Sequence, residues 1–415
     1  MRKIKDSGVA WVGAMPEDWT VKRGKFTLKL LNRPVKDTDD VITCFRDGEV
    51  TLRTNRRTDG FTVSVKEIGY QGIEPGDLVI HGMDGFAGSI GISDSRGKSS
   101  PVLVVCDTDE SKRYIMYYLR SMAYNDVFTA LATGIRVRSC DLRWNKLAEL
   151  PYILPSLPEQ NQIVSAIESN TSKVDALIAN VQAQIEKLKA YKQSLITEVV
   201  TKGLDPNAPM KDSGVEWIGT IPASWKTIRV KQLLRERKER SVNGKEEPLS
   251  MSQKVGLVPT KMLDMIPNMA SSFVGAKLAY VDDLVFNKLK AHLGVFSVSK
   301  YDGLVSPDYA VYYSTGIIDL KYLEYLFKTP QCISEFRKRS TGIVAGLTRL
   351  YTDGLFAIEC PMPSKDEQAE IVLFLNEKCA QIDELMSLKQ TKIEKLEQYK
   401  RSLIYEYVTG KKEVS

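Results

Sequence analysis

The chain has 415 residues, of which 43% are apolar, and a formal net charge of +6, which is enough for two or more domains with ordinary cores. It has neither a signal-peptide start nor a run of about 18 apolar residues, so we expect a soluble, cytoplasmic protein with no membrane segment. The six cysteines are scattered without a C-x-x-C pair, which argues against a disulfide framework or a zinc cluster and favours reduced packing residues.

The chain opens with a segment rich in turn residues that returns near its middle. The first copy, K-D-S-G-V-A-W-V-G-A-M-P, spans residues 5–16 and is followed by Trp19. The second copy, K-D-S-G-V-E-W-I-G-T-I-P, spans residues 211–222 and is followed by Trp225. Glycine and proline favour a ribbon over a helix. We interpret the tryptophans as packing anchors, and direct ligand contact by a tryptophan of the ribbon is the alternative.

The stretch after each ribbon keeps a common pattern with few identical residues. Gly76-Asp77-Leu78-Val79-Ile80 aligns with Asp282-Asp283-Leu284-Val285-Phe286. Short strands interrupted by glycine and aspartate are expected there, followed by a helix and a Thr-Gly-Ile sequence. Each stretch therefore predicts a small α+β block, and the two blocks share one fold but present different surfaces.

Basic and polar side chains lie in the predicted loops of both blocks. Such residues suit contacts with the phosphates and base edges of a nucleic acid, and ordinary solvated surface is the alternative for each of them. The candidates in the first block are Arg53, Arg56, Arg57, His81, Lys98, Arg136, Arg138 and Arg143, and those in the second are Lys254, Asn287, Lys288, Lys290, His292, Arg339 and Arg349.

Each block ends in a long helical pattern, Ser156 to Gly203 and Ser364 to Gly410. A Ser-x-x-Glu sequence predicts a capping box at each start, and a glycine predicts each stop. Apolar residues at heptad spacing predict coiled-coil seams. Because a whole block separates the matched patterns, we expect them to pair antiparallel, and two separate surface helices are the alternative. The seam residues are Val174, Val181, Leu188, Leu195, Ile382, Ile393, Leu396 and Leu403, and we expect Leu177, Ile178, Ile185, Tyr191, Val199, Leu385 and Tyr399 to extend the same stripe.

The sequence shows no arrangement of residues typical of catalysis. His81 and His292 are the only histidines, and neither has a second metal ligand at a suitable spacing. The glycine-rich stretch 91–99 has the wrong spacing for a phosphate-binding P-loop. Neither a methyltransferase signature nor an acidic nuclease cluster is present. We therefore expect a non-catalytic chain that holds no metal and no cofactor.

The order of the duplicated motifs resembles that of the specificity subunit of type I restriction-modification systems, the HsdS family. Each half begins with K-D-S-G-V-x-W-[VI]-G-x-[MI]-P and closes with P-S-x-x-E-Q-x-x-I-V followed by I-E-K-L-x-x-Y-K-x-S-L-I. The resemblance covers essentially the whole chain. It implies an α+β protein with a pseudo-twofold internal repeat, in which two similar target-recognition domains are separated by two long helices forming an antiparallel coiled-coil spacer.

The same resemblance implies the domain limits, the function and the partners. Residues 1–155 and 204–362 each hold a ribbon and a recognition domain, and residues 156–203 and 363–415 hold the spacer helices. Each domain reads one half of a bipartite, asymmetric site in double-stranded DNA. Two modification subunits, which are adenine-N6 methyltransferases that use S-adenosylmethionine, and ATP-dependent restriction subunits are the implied partners. Two other classes remain open: a coiled-coil protein adaptor without DNA specificity, and a divergent nuclease.

Overall fold

The protein mixes helices and strands, as the sequence predicts. The computed structural model describes residues 2–56, 67–130, 142–253, 255–263, 273–342 and 348–414. The chain divides into two compact units. The first unit contains Met1–Gln182 and Gln390–Ser415, and the second contains Ala183–Lys389. Each unit therefore holds one ribbon, one block and a stretch of both long helices.

The first unit is built on a four-stranded antiparallel sheet with the order Lys29–Leu30, Leu103–Asp107, Leu78–His81 and Ile90–Ile92. The helix Lys112–Tyr124 buries Tyr114, Tyr118 and Met122 at the three- to four-residue spacing of an amphipathic helix. The paired strands are Ile4–Asp6 with Ala14–Pro16, Thr20–Arg23 with Pro151–Leu154, Ile42–Cys44 with Val50–Leu52, and Gln71–Ile73 with Gly97–Ser99. Shorter helices span Gly24–Phe26, Arg53–Asn55, Gly85–Ala87, Val127–Ala130 and Trp144–Leu147.

The second unit contains a sheet of the same kind, with the order Leu234–Glu236, Tyr309–Ser314, Leu284–Asn287 and Phe296–Val298. Its paired strands are Met210–Asp212 with Thr220–Pro222, Lys226–Arg229 with Glu359–Met362, Leu249–Ser252 with Gly256–Pro259, and Lys277–Ala279 with Gly303–Val305. Its shorter helices span Val230–Leu233, Thr260–Met262, Ala291–Leu293, Leu320–Phe327, Pro330–Arg339 and Thr352–Phe356. Phe286, Phe296, Phe327 and Phe336 pack against one another in its core.

The two long helices are present as predicted, at Leu157–Lys202 and Lys365–Val408. In the first unit, Lys400 Nζ lies 2.7 Å from the Asp175 carboxylate and Asn170 Nδ2 lies 3.3 Å from Tyr407 Oη. The residue numbers rise on one helix as they fall on the other, so these two stretches run antiparallel.

The stretches of the same helices within the second unit are also antiparallel. Lys192 Nζ lies 2.7 Å from the Asp383 carboxylate, and Lys389 Nζ lies 2.5 Å from Gln184 Oε1. Of the predicted seam residues, Leu188, Leu195 and Leu396 are half-buried, and the others are buried: Val174, Val181, Ile382, Ile393 and Leu403.

The prediction that the apolar stripe extends beyond the seam is confirmed for Ile185 and Val199, which are each 5% exposed, and is wrong for four other residues. Leu177, Tyr191, Leu385 and Tyr399 are 50%, 58%, 48% and 53% exposed. Each of them follows a seam residue by three positions, and three residues turn a helix by about 300°. Their side chains therefore point about 60° away from the seam and flank it.

The ends of the long helices meet the ribbons. Trp19 and Trp225 are each 1% exposed, which confirms them as packing anchors. The indole Nε1 of Trp19 donates to Glu159 Oε2 at 3.2 Å, and that of Trp225 donates to Glu367 Oε2 at 2.8 Å. The glutamates of the predicted capping boxes thus bind the ribbon tryptophans, a contact that the capping pattern did not indicate.

Glycine ends both long helices, as predicted. Gly203 and Gly410 have φ of +78° and +72°, in the left-handed region that favours glycine. A Cβ atom at Gly410 would overlap Cδ of Pro16 and lie 3.1 Å from Cη2 of Trp19. The second helix therefore stops in direct contact with the ribbon of the first unit.

The described cysteines are packing residues. Cys44, Cys106, Cys332, Cys360 and Cys379 are buried and reduced, and Cys140 lies outside the described residues. Burial raises the pKa of Cys44 and Cys106 to about 12, which keeps these thiols protonated at neutral pH. Across the described part of the chain, every helix is too short or too polar to cross a lipid bilayer.

Candidate nucleic-acid interface

The strand Leu78–His81 of the first unit ends in a backbone junction. Gly82, the next residue, donates its N–H to the Val102 carbonyl at 2.8 Å, and its own carbonyl accepts the N–H of Leu142 at 2.9 Å. Three segments that are distant in sequence are thereby brought together at one end of the sheet.

The second unit builds the same junction after the strand Leu284–Asn287. Lys288 donates its N–H to the Asp308 carbonyl at 3.2 Å and accepts the N–H of Leu350 at 3.0 Å. We call the two junctions the strand-end frameworks: Gly82, Val102 and Leu142 in the first unit, and Lys288, Asp308 and Leu350 in the second. The backbone pattern is shared while the side chains differ, as expected for one scaffold with two surfaces.

Three of the candidates from the sequence meet at the second strand-end framework. Lys288 Nζ lies 3.3 Å from the Pro307 carbonyl, and a guanidinium nitrogen of Arg349 lies 3.5 Å from Asp308 Oδ1. Asn287 precedes Lys288, and its Oδ1 accepts the N–H of Leu289 at 3.1 Å. Two cations and an amide thus lie at the end of one strand, and one of the cations, Arg349, contacts the Asp308 carboxylate.

Three other candidates of the second unit lie in elements near this strand end. Lys290 is exposed in the turn that follows Asn287. His292 lies in the short helix Ala291–Leu293, and its buried Nδ1 has no protein partner among the described residues. Arg339 is the last residue of the helix Pro330–Arg339, with Nε 3.5 Å from Glu335 Oε2.

His81 holds the turn at the end of its strand in the first unit. Its Nδ1 accepts the N–H of Asp84 at 3.0 Å and that of Met83 at 3.3 Å. Burial lowers the pKa of His81, while the charge of Asp84 opposes that shift. A neutral imidazole with Nδ1 accepting carries its hydrogen on Nε2, so His81 can present a hydrogen-bond donor at this edge. Arg143 is exposed next to Leu142 of the framework.

The remaining described candidates of the first unit are engaged by neighbouring side chains. Arg56 lies 2.8 Å from Asp47 and 2.7 Å from Glu49, which raise its pKa, and its guanidinium covers the ring of Phe45 at 4.2 Å. Lys98 lies 2.8 Å from Glu67. Arg53 Nε lies 3.3 Å from Thr43 Oγ1. The charges of Arg56 and Lys98 already have carboxylate partners. Arg57, Arg136, Arg138 and Lys254 lie outside the described residues.

Two residues near the second framework were missed by sequence reasoning. Lys277 Nζ donates to the Tyr309 carbonyl at 2.7 Å, and burial, together with the charge of Lys288, lowers the pKa of Lys277. The hydroxyl of Tyr309 accepts the N–H of Met251 at 3.3 Å. Aligning the two blocks on Gly69 and Gly275 pairs Lys277 with Gln71, so the change in charge was visible in the sequence.

No protein-family model matches the chain. The type I restriction enzyme MjaVIII specificity subunit of Methanocaldococcus jannaschii is 23% identical over an alignment of 420 residues that covers 96% of this chain and 93% of the relative. The MjaX protein of the same organism, provisionally named as a type I specificity subunit, is 26% identical over an alignment of 318 residues that covers 72% of this chain and 67% of the relative.

Two solved structures have the same fold as this chain. A chain from a structure of complex assembly and conformational transition in a type I restriction-modification system has a TM-score of 0.69 at 14% identity. The chain is similar in sequence to specificity subunits of type I restriction enzymes. The HsdS subunit from Thermoanaerobacter tengcongensis has a TM-score of 0.52 at 15% identity, and for both structures the match covers 95% of this chain and 98% of the solved chain. The resemblance found in the duplicated motifs is therefore confirmed.

Proposed function

We propose that the chain is the DNA sequence-recognition subunit of a type I restriction-modification complex. Each unit reads one half of a bipartite, asymmetric site in double-stranded DNA, and the bound chain directs adenine-N6 methylation or restriction by partner subunits. The observation that carries the proposal is the relationship to type I specificity subunits over 96% of the chain.

The unlike side chains on the two strand-end frameworks support unlike half-sites. Gly82 and Val102 of the first unit stand where the second unit has Lys288 and Asp308, within the same backbone hydrogen bonds. Sequence is read by side chains that reach base edges, whereas a shared backbone fixes only their placement. Two copies of one scaffold with different side chains are therefore suited to two different short sequences.

The long helices support the proposed domain organisation. We assign residues 156–203 and 363–415 to an antiparallel coiled-coil spacer, and residues 1–155 and 204–362 to the two ribbon and recognition segments. The buried seam residues and the antiparallel contacts between Lys400 and Asp175, and between Lys192 and Asp383, favour this assignment. A spacer of fixed length makes two short half-sites into one site with an unread gap.

The residues that flank the seam supply a surface for the partners. Leu177 and Tyr399 of the first unit, and Leu385 and Tyr191 of the second, are about half exposed. Large exposed apolar groups at repeated positions are typical of interaction sites. One leucine and one tyrosine in each unit suit two equivalent modification subunits. In this proposal those subunits hold S-adenosylmethionine, and the restriction subunits hold ATP and magnesium.

Methylation-site sequencing tests the proposal. We expect DNA from cells that express this chain with its modification partner to carry N6-methyladenine in a split motif with two unlike halves. Cells that express the partner alone should lack that motif. A soluble complex of the two proteins that adds no new motif would instead favour a protein adaptor without DNA specificity.

His81 and Asn287 offer a matched pair for testing the strand ends. They occupy corresponding positions, and each accepts a backbone N–H two residues later, at 3.3 Å for His81 and 3.1 Å for Asn287. Exchanging the residue types by His81→Asn and Asn287→His therefore keeps an acceptor for the turn and changes the atoms shown to DNA. We expect each variant to alter only the half-site of its own unit, since one good base contact discriminates by about 1–3 kcal/mol. If both variants direct methylation of the wild-type motif, residues 81 and 287 do not contact bases.

A further inference from the structure

One hydrogen bond occurs at corresponding positions in each of the two units. The side chain that donates it is neutral in the first unit and carries a charge in the second. Gln71 begins the strand Gln71–Ile73, and its Nε2 donates to the Leu103 carbonyl at 3.1 Å. Lys277 begins the corresponding strand Lys277–Ala279, and its Nζ donates to the Tyr309 carbonyl at 2.7 Å. The accepting residues also correspond, because Leu103 pairs with His81 and Tyr309 pairs with Asn287. A neutral amide is thus sufficient to make this contact.

A charged lysine is energetically less favourable than a glutamine at this position. Lys277 is half-buried, and both its burial and the nearby positive charges of Lys288 and Arg240 lower its pKa. Asp308 and Glu236 oppose that shift only in part. Bringing like charges together and removing them from water destabilises the charged form unless an anion compensates. The contact with Tyr309 therefore does not by itself account for a lysine where glutamine serves in the other unit.

The local geometry leaves Lys277 able to bind an anion. An ammonium group has three N–H donors, and the Tyr309 carbonyl accepts one of them. Lys288 follows the strand that pairs with Tyr309–Ser314, and Arg349 lies beside Asp308 of the same framework. In the first unit the positions of Lys277 and Lys288 hold Gln71 and Gly82, which carry no charge. The second unit therefore carries two positive charges, on Lys277 and Lys288, that the first unit lacks at the corresponding positions.

We propose that Lys277, together with Lys288 and Arg349, forms a phosphate-contacting site on the second unit, and that the first unit lacks the two lysines of this site. The inference rests on the proposed DNA binding and deepens it. At the two strand ends, the second unit therefore supplies the larger share of the salt-dependent attraction to the DNA backbone.

The salt dependence of DNA binding by the full-length chain tests the site. The probe is a random-sequence DNA duplex, titrated at several sodium chloride concentrations. Each lost phosphate contact lowers the slope of the logarithm of affinity against the logarithm of salt concentration by about 0.9. We expect Lys277→Gln to lose about 0.9 of that slope, and the double variant with Lys288→Gln about twice as much. Gln71→Lys should raise the slope by a similar amount.

Lys226→Gln is the matched control, since Lys226 is an exposed lysine of the same unit on the strand Lys226–Arg229, which pairs with Glu359–Met362. Its slope should equal that of the unmodified chain. If Lys277→Gln and Lys226→Gln give the same slope, the phosphate site is overturned while DNA binding stands. If the unmodified chain shows no salt-dependent binding, the proposed function itself fails. Thermal unfolding checks that the variants fold, and should Lys277→Gln melt early, Lys288→Gln decides by the same slope criterion.

Discussion

Replacing Arg237 with alanine is expected to lower the free energy of unfolding of the second unit by about 3–5 kcal/mol. Arg237 holds the carboxylate of Asp283 with two bonds of 2.7 and 2.8 Å, and that carboxylate is only 3% exposed. The guanidinium also lies 4.7 Å from the ring of Tyr280 and 5.0 Å from that of Tyr313. Its removal leaves a buried negative charge without a positive counter-ion. Urea unfolding followed by tryptophan fluorescence measures the loss.

Arg229→Ala is the control for this experiment. Arg229 lies 3.3 Å from Glu359, but its side chain is 68% exposed, so its loss should cost less than about 1 kcal/mol. The double variant Arg237→Ala with Asp283→Asn should recover part of the stability. The asparagine removes the buried charge, and its side-chain oxygen can still accept the N–H of Tyr280, which lies 2.9 Å from Asp283 Oδ2. Equal losses from Arg229→Ala and Arg237→Ala would contradict the argument from burial.

The same pair recurs in the first unit, where sequence reasoning also missed it. Arg33 binds Asp77 through both terminal guanidinium nitrogens, and the side chain of Asp77 is 4% exposed. Asp77 was noticed in the sequence only as part of the aligned Gly-Asp-Leu-Val-Ile segment. Its partner lies far away in the chain, and no local pattern identifies it. The pairing depends on the sheet, which brings the two segments together.

The long helices were predicted well because their signals are local. Heptad spacing, a serine at the start and a glycine at the end set the limits of the first helix within one residue of the observed Leu157–Lys202. The side chains beside the seam were predicted less well. Leu177 and Tyr191 are apolar and adjacent to seam positions, and only the packed structure shows that they remain about half exposed. Apolar character alone does not distinguish a buried residue from an exposed residue that a partner protein would cover.

The candidate interface was predicted only in outline. The sequence identified loops with basic residues, but it could not show which charges the protein itself compensates. Arg56 is bound by Asp47 and Glu49 because both acidic residues lie in the turn that joins the strands Ile42–Cys44 and Val50–Leu52. Lys277 went unnoticed since it lies in a strand rather than a loop, and its importance emerges only from comparison with Gln71. The shared backbone framework, which sequence patterns do not reveal, makes that comparison possible.

Replacing Trp19 with alanine is expected to cost the first unit about 3–5 kcal/mol of unfolding free energy, as for other large buried aromatic residues. The indole is 1% exposed, its Nε1 binds Glu159 at the start of the first long helix, and its ring lies beside Gly410 at the end of the second. One side chain therefore anchors both helix ends to the ribbon. Hydrogen exchange should show faster exchange of the amides of residues 403–410 in the variant, and urea unfolding measures the loss of stability.

Two comparisons separate anchoring from the general loss of an aromatic residue. Trp11→Ala removes a half-buried tryptophan of the same ribbon. The Trp11 carbonyl, which accepts from Tyr405 Oη at 2.8 Å, belongs to the backbone and remains, so a smaller loss of stability is expected. Trp19→Phe keeps most of the packing but removes the donor to Glu159, and it should fall between the two alanine variants. If Trp11→Ala and Trp19→Ala lose equal stability and leave exchange at residues 403–410 unchanged, Trp19 does not anchor the helix ends. The ribbon would then contribute packing to the core of the first unit without determining where the second helix ends.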